Sequence, residues 1–200
     1  NTIINYRNPY IMFKKSLLLT LSLALFMPFA LKAHTITVGD QSTQNECVPI
    51  YGWNTDNTQH NQMLYPAESL VSMIGLDITE MVFYIQSWGA DPYGSDGLPG
   101  NWIVSFGETE ATALSGLDNT TALTQVYSGE MTFDIGHTTI TITFDDSYTY
   151  NGGNLLVDFN HPTPASYRHI YFYGTAVNGA AVYQYSNNSA KVIKIIGIKK

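Results

Sequence analysis

Short stretches in which apolar and polar residues alternate recur along the chain after residue 34. The clearest is 137–144, where apolar side chains at 140, 142 and 144 share one side of an extended segment and threonines take the other. Other apolar segments of strand length lie at 35–38, 81–85, 102–106, 155–159, 169–173 and 181–185. The pattern predicts a chain built of short β-strands.

Turn-forming residues separate these segments. Glycine, proline, asparagine and aspartate cluster at 91–94, 98–100, 128–129, 151–153 and 178–179. Only 66–74 and 110–117 have the composition of a helical turn. We therefore expect an all-β fold, an antiparallel two-sheet β-sandwich of the jelly-roll type, in which each strand buries one face.

An uncharged apolar segment precedes the β-like region. Met12-Phe13-Lys14-Lys15 leads into residues 16–31, and Ala33 stands just before the first predicted strand. This order is typical of a cleaved signal peptide. A membrane anchor is the alternative, but the apolar run is shorter than the roughly 20 residues that cross a bilayer. We expect 1–11 to be an upstream leader, 12–33 to be the signal peptide, and the mature chain to be exported to the extracellular space or outer cell surface.

Charge is segregated along the chain. Residues 34–190 hold all sixteen acidic residues and one basic residue, Arg168, for a net charge of −15. Such a body repels phosphate backbones, which disfavours nucleic acid as a partner. Cations, basic peptides and neutral sugars remain open as ligands.

The last ten residues differ from the rest. Residues 191–200 read KVIKIIGIKK, which is rich in lysine and isoleucine. One interpretation is a final edge strand whose lysines discourage pairing with other chains. The other is a frameshifted or truncated end that replaces the native last strand. We take 34–190 as the β-sandwich domain and 191–200 as an atypical basic tail.

Eight stretches of the chain, in order, resemble a known group of proteins. They are TITVGD (35–40), VPIYGW (48–53), QMLYPAESL (62–70), ITEMVFYI (78–85), TALSGL (112–117), VYSGEMTF (126–133), YTYNGGNLLVDF (148–159) and YFYGTAVNGAAVYQYS (171–186). The set resembles the N-terminal β-sandwich modules of large secreted or surface proteins of gut and oral Gram-negative anaerobes, akin to gingipain-type adhesin domains. The resemblance implies a jelly-roll fold and adhesion or ligand binding, with no catalytic residues to transfer.

Aromatic residues beside loops suggest a platform for a sugar ring. The long Gly/Pro-rich excursion near residue 93 brings aromatic and polar groups together, and loops on a rigid scaffold commonly carry binding. The predicted ligand contacts are Trp88, Tyr93, Asp96 and Trp102. Further rings that could stack on a sugar or fill the core instead are Trp53, Tyr148, Tyr150, Tyr167, Tyr171 and Tyr173.

Calcium is the most plausible ion, and we expect no other cofactor. Calcium prefers six to eight oxygen ligands. Candidate carboxylates are Asp91 and Asp96 in one loop and Asp145 and Asp146 in another. Ordinary Asp/Gly turns explain the same residues without a metal. His161 and His169 flank a loop, but they lack the Cys/His spacing of a zinc site.

No hydrolase, metalloprotease or phosphate-loop motif is present in the sequence. Cys47, the single cysteine, cannot form an intrachain disulfide and is expected to be a small packed side chain. A glycoside hydrolase would need two carboxylates at a set separation. Its candidates are Glu68, Glu80, Glu108, Glu110, Asp145, Asp146 and Asp158.

Three functional hypotheses follow. The first is a non-catalytic binding or adhesion module at the cell surface, with a glycan or a host or surface protein as ligand and no membrane insertion of the mature chain. The second is a spacer or cap domain of a longer secreted protein, which would adjoin its downstream domains. The third is a secreted glycoside hydrolase that uses paired carboxylates.

Overall fold

The computed structural model describes residues 34–88, 98–131, 137–164, 166–186 and 188–196. Apart from two short 3-10 turns, Ala67–Ser69 and Val71–Met73, its regular elements are all β-strands. They are β1 (Thr43–Asn45), β2 (Gln59–Tyr65), β3 (Asp77–Trp88), β4 (Leu98–Thr109), β5 (Thr124–Met131), β6 (Thr139–Thr149), β7 (Asn154–Pro164), β8 (Ile170–Tyr185) and β9 (Lys191–Ile196). The all-β prediction is confirmed.

The strands pair antiparallel in the order β5-β4-β7-β2-β8-β3-β6, and β1 and β9 add to β8. The two ends of this path lie side by side. There the backbone N–H of Ser128 in β5 donates to the Asp145 carboxylate in β6 at 2.9 Å. The sheet is therefore almost closed into a barrel, an arrangement that leaves few unprotected edges.

Strand β8 joins two parts of the sheet. Its first residues pair with β1 and β3, and residues 181–185 pair with β2. Between these parts Gly179 has a φ of +68°, and the pairing with β9 shifts register between Ala176 and Ala181. Glycine adopts this left-handed conformation without the steric cost that other residues bear, so Gly179 permits a bulge inside the strand.

The main core lies between the inner faces of the strands. Rings of β4 and β7 meet rings of β6 and β3 there: Phe106 contacts Phe144 edge to face with centroids 5.1 Å apart, and Phe83 contacts Phe159 at 5.6 Å. Such edge-to-face pairs add to the burial of large apolar areas. The inner faces of these four strands therefore hold one another in place.

Most predicted strand segments overlap strands of the structure, but the observed strands are longer, and 169–173 and 181–185 belong to one strand, β8. Residues 35–38 lie outside the ladders, although Val38 packs in the core. The sequence pattern misses β1, β2 and β5, because β1 has only polar residues, β2 opens with four polar residues and β5 contains a Ser-Gly pair. Residues 110–117 contain bends and no helix, whereas the 3-10 turns confirm the helical turn at 66–74.

The basic segment after residue 190 pairs with β8 as strand β9. Within the described part of the chain, no helix has the length and apolar character that crossing a membrane requires.

Candidate functional site

The strands β4, β7 and β2 carry a polar cleft on the face that is turned away from the main core. Its volume is about 360 Å³. Strand residues form its floor and residues of the loop between β4 and β5 form its wall. The lining consists of His60, Gln62, Ile103, Ser105, Asp118, Asn119, Thr121, Leu123, Asp158 and Asn160. We call this feature the cleft.

The floor is built by cross-strand register. Asp158 of β7 is paired with Ser105 of β4 on one side and Gln62 of β2 on the other. Two residues along β7, Asn160 is paired with Ile103 and with His60 in the same way. Residues two apart in a strand point to the same face, so the two rows share one surface.

A buried carboxylate lies at the centre of the floor. Asp158 is 4% exposed, and its Oδ2 accepts hydrogen bonds from His60 Nε2 at 2.6 Å and from Gln62 Nε2 at 2.8 Å. The side chain of His60 is 29% exposed, so the imidazole reaches from Asp158 to solvent. Burial of a carboxylate is costly unless hydrogen bonds satisfy it, and these two donors meet part of that cost.

Gln62 also ties the wall to the floor. It is fully buried, and its amide forms a reciprocal pair with the backbone of Asp118: Nε2 donates to the Asp118 carbonyl at 2.9 Å and Oε1 accepts from the Asp118 N–H at 2.6 Å. One side chain therefore binds both the loop and Asp158.

Asp118 fixes the shape of its own turn. Its carboxylate accepts hydrogen bonds from the hydroxyls of Thr121 and Thr120, at 2.6 and 2.7 Å, and from both of their backbone N–H groups. The hydroxyl of Thr121, followed by that of Thr120, lowers the pKa of Asp118 to about 2. The wall of the cleft therefore holds a charged carboxylate at neutral pH.

The loop lies against the sheet at two glycine positions. A Cβ at Gly107 would stand 2.5 Å from the carbonyl oxygen of Ala122, and one at Gly179 would stand 2.8 Å from the Cβ of Ala113. Beside Gly179, the N–H of Leu114 donates to the Gly179 carbonyl at 2.7 Å. The side chain of Leu114 packs into a small apolar cluster on this face. These contacts position the wall before any ligand arrives.

The charged groups of the cleft lining limit the kind of ligand that it suits. It contains the carboxylates of Asp118 and Asp158, one imidazole and several neutral amide and hydroxyl groups. Among the described residues no lysine or arginine lines the cleft. The cleft is therefore suited to a ligand that is neutral and rich in hydroxyl groups, or one that is positively charged.

The structure describes two of the four residues predicted to contact a sugar, Trp88 and Trp102. Trp102 is completely buried, where its ring stacks on His161 with centroids 3.7 Å apart and its Nε1 donates to the Leu98 carbonyl. It is a core residue and has no surface for a ligand. Trp88 packs partly on the core and donates from Nε1 to the His137 carbonyl at 3.1 Å. Tyr93 and Asp96 lie outside the described residues.

Of the four calcium candidates, Asp91 and Asp96 lie outside the described residues. Asp145 and Asp146 are exposed on β6, and Asp145 accepts the Ser128 N–H that joins β5 to β6. The described residues contain no group of three or more His, Cys, Asp or Glu side chains that could hold a metal ion.

The two histidines considered as a metal pair have other surroundings. His161 is buried, with Nδ1 2.9 Å from the Asn101 carbonyl oxygen and Nε2 3.2 Å from that of Thr55. Burial lowers the pKa of His161, and the two carbonyl oxygens act in the opposite direction. The ring of His169 is tilted by 53° against the indole of Trp53, with centroids 3.8 Å apart.

Trp53, His169 and Tyr171 form an aromatic cluster on the surface. Trp53 is 43% exposed, and the rings of His169 and Tyr171 have centroids 4.8 Å apart. The hydroxyl of Thr55 accepts from the N–H of Arg168, which holds the Trp53 loop against the chain just before β8. Tyr150, another predicted ring, is buried in the core.

Cys47 lacks the character of a nucleophile. Burial raises the pKa of its thiol to about 11, and Glu46 adds to the effect. The thiolate is the reactive form, and little of it exists at neutral pH with such a pKa.

Of the carboxylates considered for hydrolysis, only Asp158 lines the cleft. Glu108 instead accepts the backbone N–H groups of Asn151 and Gly153, at 2.8 and 2.7 Å, and so holds the turn between β6 and β7. The second carboxylate of the cleft, Asp118, has a lowered pKa, whereas a general acid needs a raised one.

The sequence did not single out His60, Gln62 or Asp118. One signal is present: Asp158 interrupts the apolar run 155–159, and a charged residue inside such a strand indicates a polar surface or a buried partner. The partner could not be identified, because β2 was not recognised as a strand.

Comparisons of the chain with protein-family models, with curated proteins and with solved structures found no match.

Proposed function

We propose that this chain is an exported, non-catalytic binding module that acts outside the cell or on its outer surface, with a glycan or a host or surface protein as its ligand. The observation that carries the proposal is the cleft: a concave site of about 360 Å³ whose polar floor is fixed before a ligand binds. Binding sites are commonly concave, with a few placed polar groups that give specificity.

Hydrogen bonds that fix the side chains of the cleft before a ligand arrives support the proposal. Each rotamer-rich side chain that a ligand immobilises costs roughly 0.5–1.5 kcal/mol. Gln62 and Asp158 are already held by hydrogen bonds to each other, and Gln62 is also held by the backbone of Asp118. A ligand in the cleft would not bear the cost of ordering these groups.

The proposed architecture is the two-sheet jelly roll that the sequence pattern and the resemblance to gingipain-type adhesin modules imply. The antiparallel pairing and the ring contacts between β4 and β6 and between β3 and β7 support two facing layers. Cleavage of a signal peptide after Ala33 belongs to the same proposal and explains how an acidic module of this type would reach the cell surface.

Screening the purified protein on glycan and matrix-protein arrays tests the function. Asn119→Trp places a bulky ring in the lining from an exposed loop position. The matched control is Ser115→Trp, an exposed position of the same loop outside the lining. We expect binding that Asn119→Trp abolishes and Ser115→Trp retains. Absence of binding to every array component, or equal binding by both variants, would count against the cleft as the site.

A second candidate function is a spacer or cap domain of a longer protein. Val71, Ile74 and Leu76 are 62%, 51% and 41% exposed in one short segment, and exposed apolar patches often contact another domain. Sequencing the gene through codon 200 in all frames tests this alternative. An open frame that continues into further domains would support it, and a stop codon there would oppose it.

A further inference from the structure

We infer that the aromatic cluster of Trp53, His169 and Tyr171, which Tyr173 extends along β8, is a second binding site, and that its ligand is a neutral oligosaccharide. None of these residues lines the cleft. The inference therefore goes beyond the proposed function, because it adds a site and names the chemical class of the ligand.

Contacts on both sides of Trp53 hold its loop against the start of β8. A Cβ at Gly52 would collide with the carbonyl oxygen of Ile170, so glycine permits a close approach of the two backbones here. On the other side Thr55 is buried, and its hydroxyl donates to the Ser166 carbonyl at 3.2 Å. The indole between these two anchors is nevertheless 43% exposed. The fold therefore holds a large ring in contact with water, although tryptophan is highly buried on average.

Two tyrosines continue the aromatic surface along β8. Burial alternates in this part of the strand: Tyr171 and Tyr173 are partly exposed, whereas Ile170 and Phe172 are buried. Residues two apart in a strand point to the same face and lie about 6.6 Å apart. The ring centroid of Tyr171 is 6.4 Å from that of Trp53. The rings therefore form a row along the strand, which a ligand can contact at more than one point.

Uncharged polar side chains border this row. Ser87 of β3 is paired with Tyr171, and the exposed Gln44 of β1 is paired with Tyr173. Side chains of directly paired residues lie on the same face of a sheet, so a hydroxyl and an amide stand beside the rings. Both groups can donate and accept hydrogen bonds. A sugar offers the matching surfaces, since its C–H groups pack on the negative face of an aromatic ring and its hydroxyl groups bond to polar neighbours.

The size of the aromatic surface favours a sugar over a protein as the ligand. Trp53 is 43% exposed, and the other rings of the cluster are exposed to a smaller fraction. Because a whole aromatic side chain has roughly 150–250 Å² of surface, the row exposes on the order of 200 Å². A standard protein interface buries about 800 Å² on each partner. The row is therefore much smaller than a protein interface and suits a small ligand.

The charge of the protein selects among sugars. Residues 34–190 carry a net charge of −15, and the cluster itself contains no lysine or arginine. A glycan that bears carboxylate or sulfate groups would be repelled by this body. We therefore expect a neutral glycan.

Calorimetric titration of the full-length protein with neutral hexasaccharides tests the inference. The probes are cellohexaose, laminarihexaose, xylohexaose and mannohexaose, and the corresponding monosaccharides are the short comparison ligands. We expect at least one hexasaccharide to bind, and to bind about tenfold more tightly than its monosaccharide, because it contacts more than one ring. Binding of none of the four hexasaccharides would overturn the inference.

Trp53→Ala is the diagnostic variant, because it removes the most exposed ring of the cluster. It should weaken hexasaccharide binding by about tenfold or more, since truncation of a central aromatic residue commonly has an effect of this size. The matched control is Tyr185→Ala, which removes a partly exposed tyrosine of the same strand outside the cluster and should leave the affinity unchanged. Equal losses in the two variants would contradict the inference.

Tryptophan fluorescence gives a readout from the site itself. Of the three tryptophans in the chain, Trp102 is completely buried and Trp88 packs partly on the core. A sugar that covers Trp53 should shift the emission to shorter wavelength, because the indole loses contact with water. Trp53→Phe should abolish this shift and keep part of the affinity, because a ring remains for stacking. Hexasaccharide binding with no change in emission would contradict stacking on Trp53.

The outcomes separate the inference from the proposed function. Hexasaccharide binding that Trp53→Ala abolishes and Asn119→Trp retains would support the inference, even if the cleft binds no array component. Binding that Asn119→Trp abolishes and Trp53→Ala retains would place the glycan in the cleft, which overturns the inference and leaves the proposed function standing. Binding of a matrix protein that depends on Trp53, with no binding of a hexasaccharide, would also overturn it, because the ligand of the cluster would then be a protein.

Discussion

Asp158 and Phe159 are neighbours in β7, but their side chains lie on opposite faces of the sheet. Phe159 is fully buried in the main core, edge to face with Phe83 of β3. Asp158 is also buried, at 4% exposed, yet it lies under the cleft among hydrogen-bond donors. Both residues are withdrawn from water, one by packing and the other by a polar network.

The difference teaches that burial alone does not identify a core position in this sheet. The inner face gains stability from apolar area, which is roughly proportional to the surface removed from water. At the cleft, the outer face buries polar groups, whose burial is unfavourable unless hydrogen bonds satisfy them. Such an arrangement is expected where a surface is shaped for a ligand, and it can be tested by changing one face at a time.

The largest expected effect is on the inner face. Phe159→Ala removes a buried ring and leaves a cavity, so we expect the free energy of unfolding to fall by about 3–5 kcal/mol. This free energy is measured by urea unfolding, monitored through tryptophan fluorescence. Any binding in the cleft should be unchanged at temperatures where the variant remains folded. A loss below about 1 kcal/mol would show that this position is not part of a packed core.

Gln62→Ala breaks the link between the floor and the wall of the cleft. It leaves the Asp118 backbone groups and Asp158 without this partner, so we expect a loss of about 1–3 kcal/mol in stability. It should also weaken cleft binding, because the loop loses its tie to the floor and keeps only its contacts at Gly107, Leu114 and Gly179. Urea unfolding measures the loss of stability, and the glycan and matrix-protein arrays measure the loss of binding. Gln44→Ala on β1, an exposed glutamine, is the control, and an equal loss there would contradict the special role of Gln62.

Gly107→Ala tests the contact between the loop and β4. The new Cβ would meet the Ala122 carbonyl oxygen at 2.5 Å, so either the loop or the strand must shift. We expect a cost of about 1–3 kcal/mol, nearer the lower value because the loop can move outward. The control is Gly116→Ala in the same loop, where a Cβ meets nothing within 4 Å. Thermal unfolding of the two variants compares them, and equal melting temperatures would refute the close approach.

The fold class was predictable because alternation survives in strands with one apolar face. In β6, Ile140 and Ile142 are buried while Thr141 and Thr143 are exposed, as a two-residue period requires. Strand β2 departs from this alternation of apolar and polar residues. Its polar residues Gln59, Asn61 and Gln62 are buried, and they form hydrogen bonds there. A pattern of apolar residues cannot reveal a strand that is buried through polar contacts.

The site was less predictable than the fold, for a related reason. The prediction favoured aromatic residues beside loops, and Trp102 is instead in the core, stacked on His161. The cleft depends on register: Asp158 meets Gln62 and His60 only because β7 pairs with β2 at these positions. Residues 96 and 98 positions apart in the sequence give no local signal of such a contact.

The smallest expected effect concerns the wall of the cleft in acid. The pKa of Asp118 is lowered from 3.8 to about 2 in the folded chain, so its carboxylate binds a proton more readily when the chain is unfolded. Its contribution to stability is therefore complete above about pH 4 and is lost as the pH falls through about 2. Solvent reaches this side chain, so the effect should be modest. Urea unfolding of the wild type and of Asp118→Asn at several pH values measures this effect. The difference in their free energies of unfolding should narrow over this interval.

Thr121→Val, which removes the hydroxyl that donates to Oδ2 of Asp118, should shift the interval toward higher pH, and Thr121→Ser should restore it. A difference that is the same at pH 2 and pH 7 would show that these hydrogen bonds do not favour the charged form.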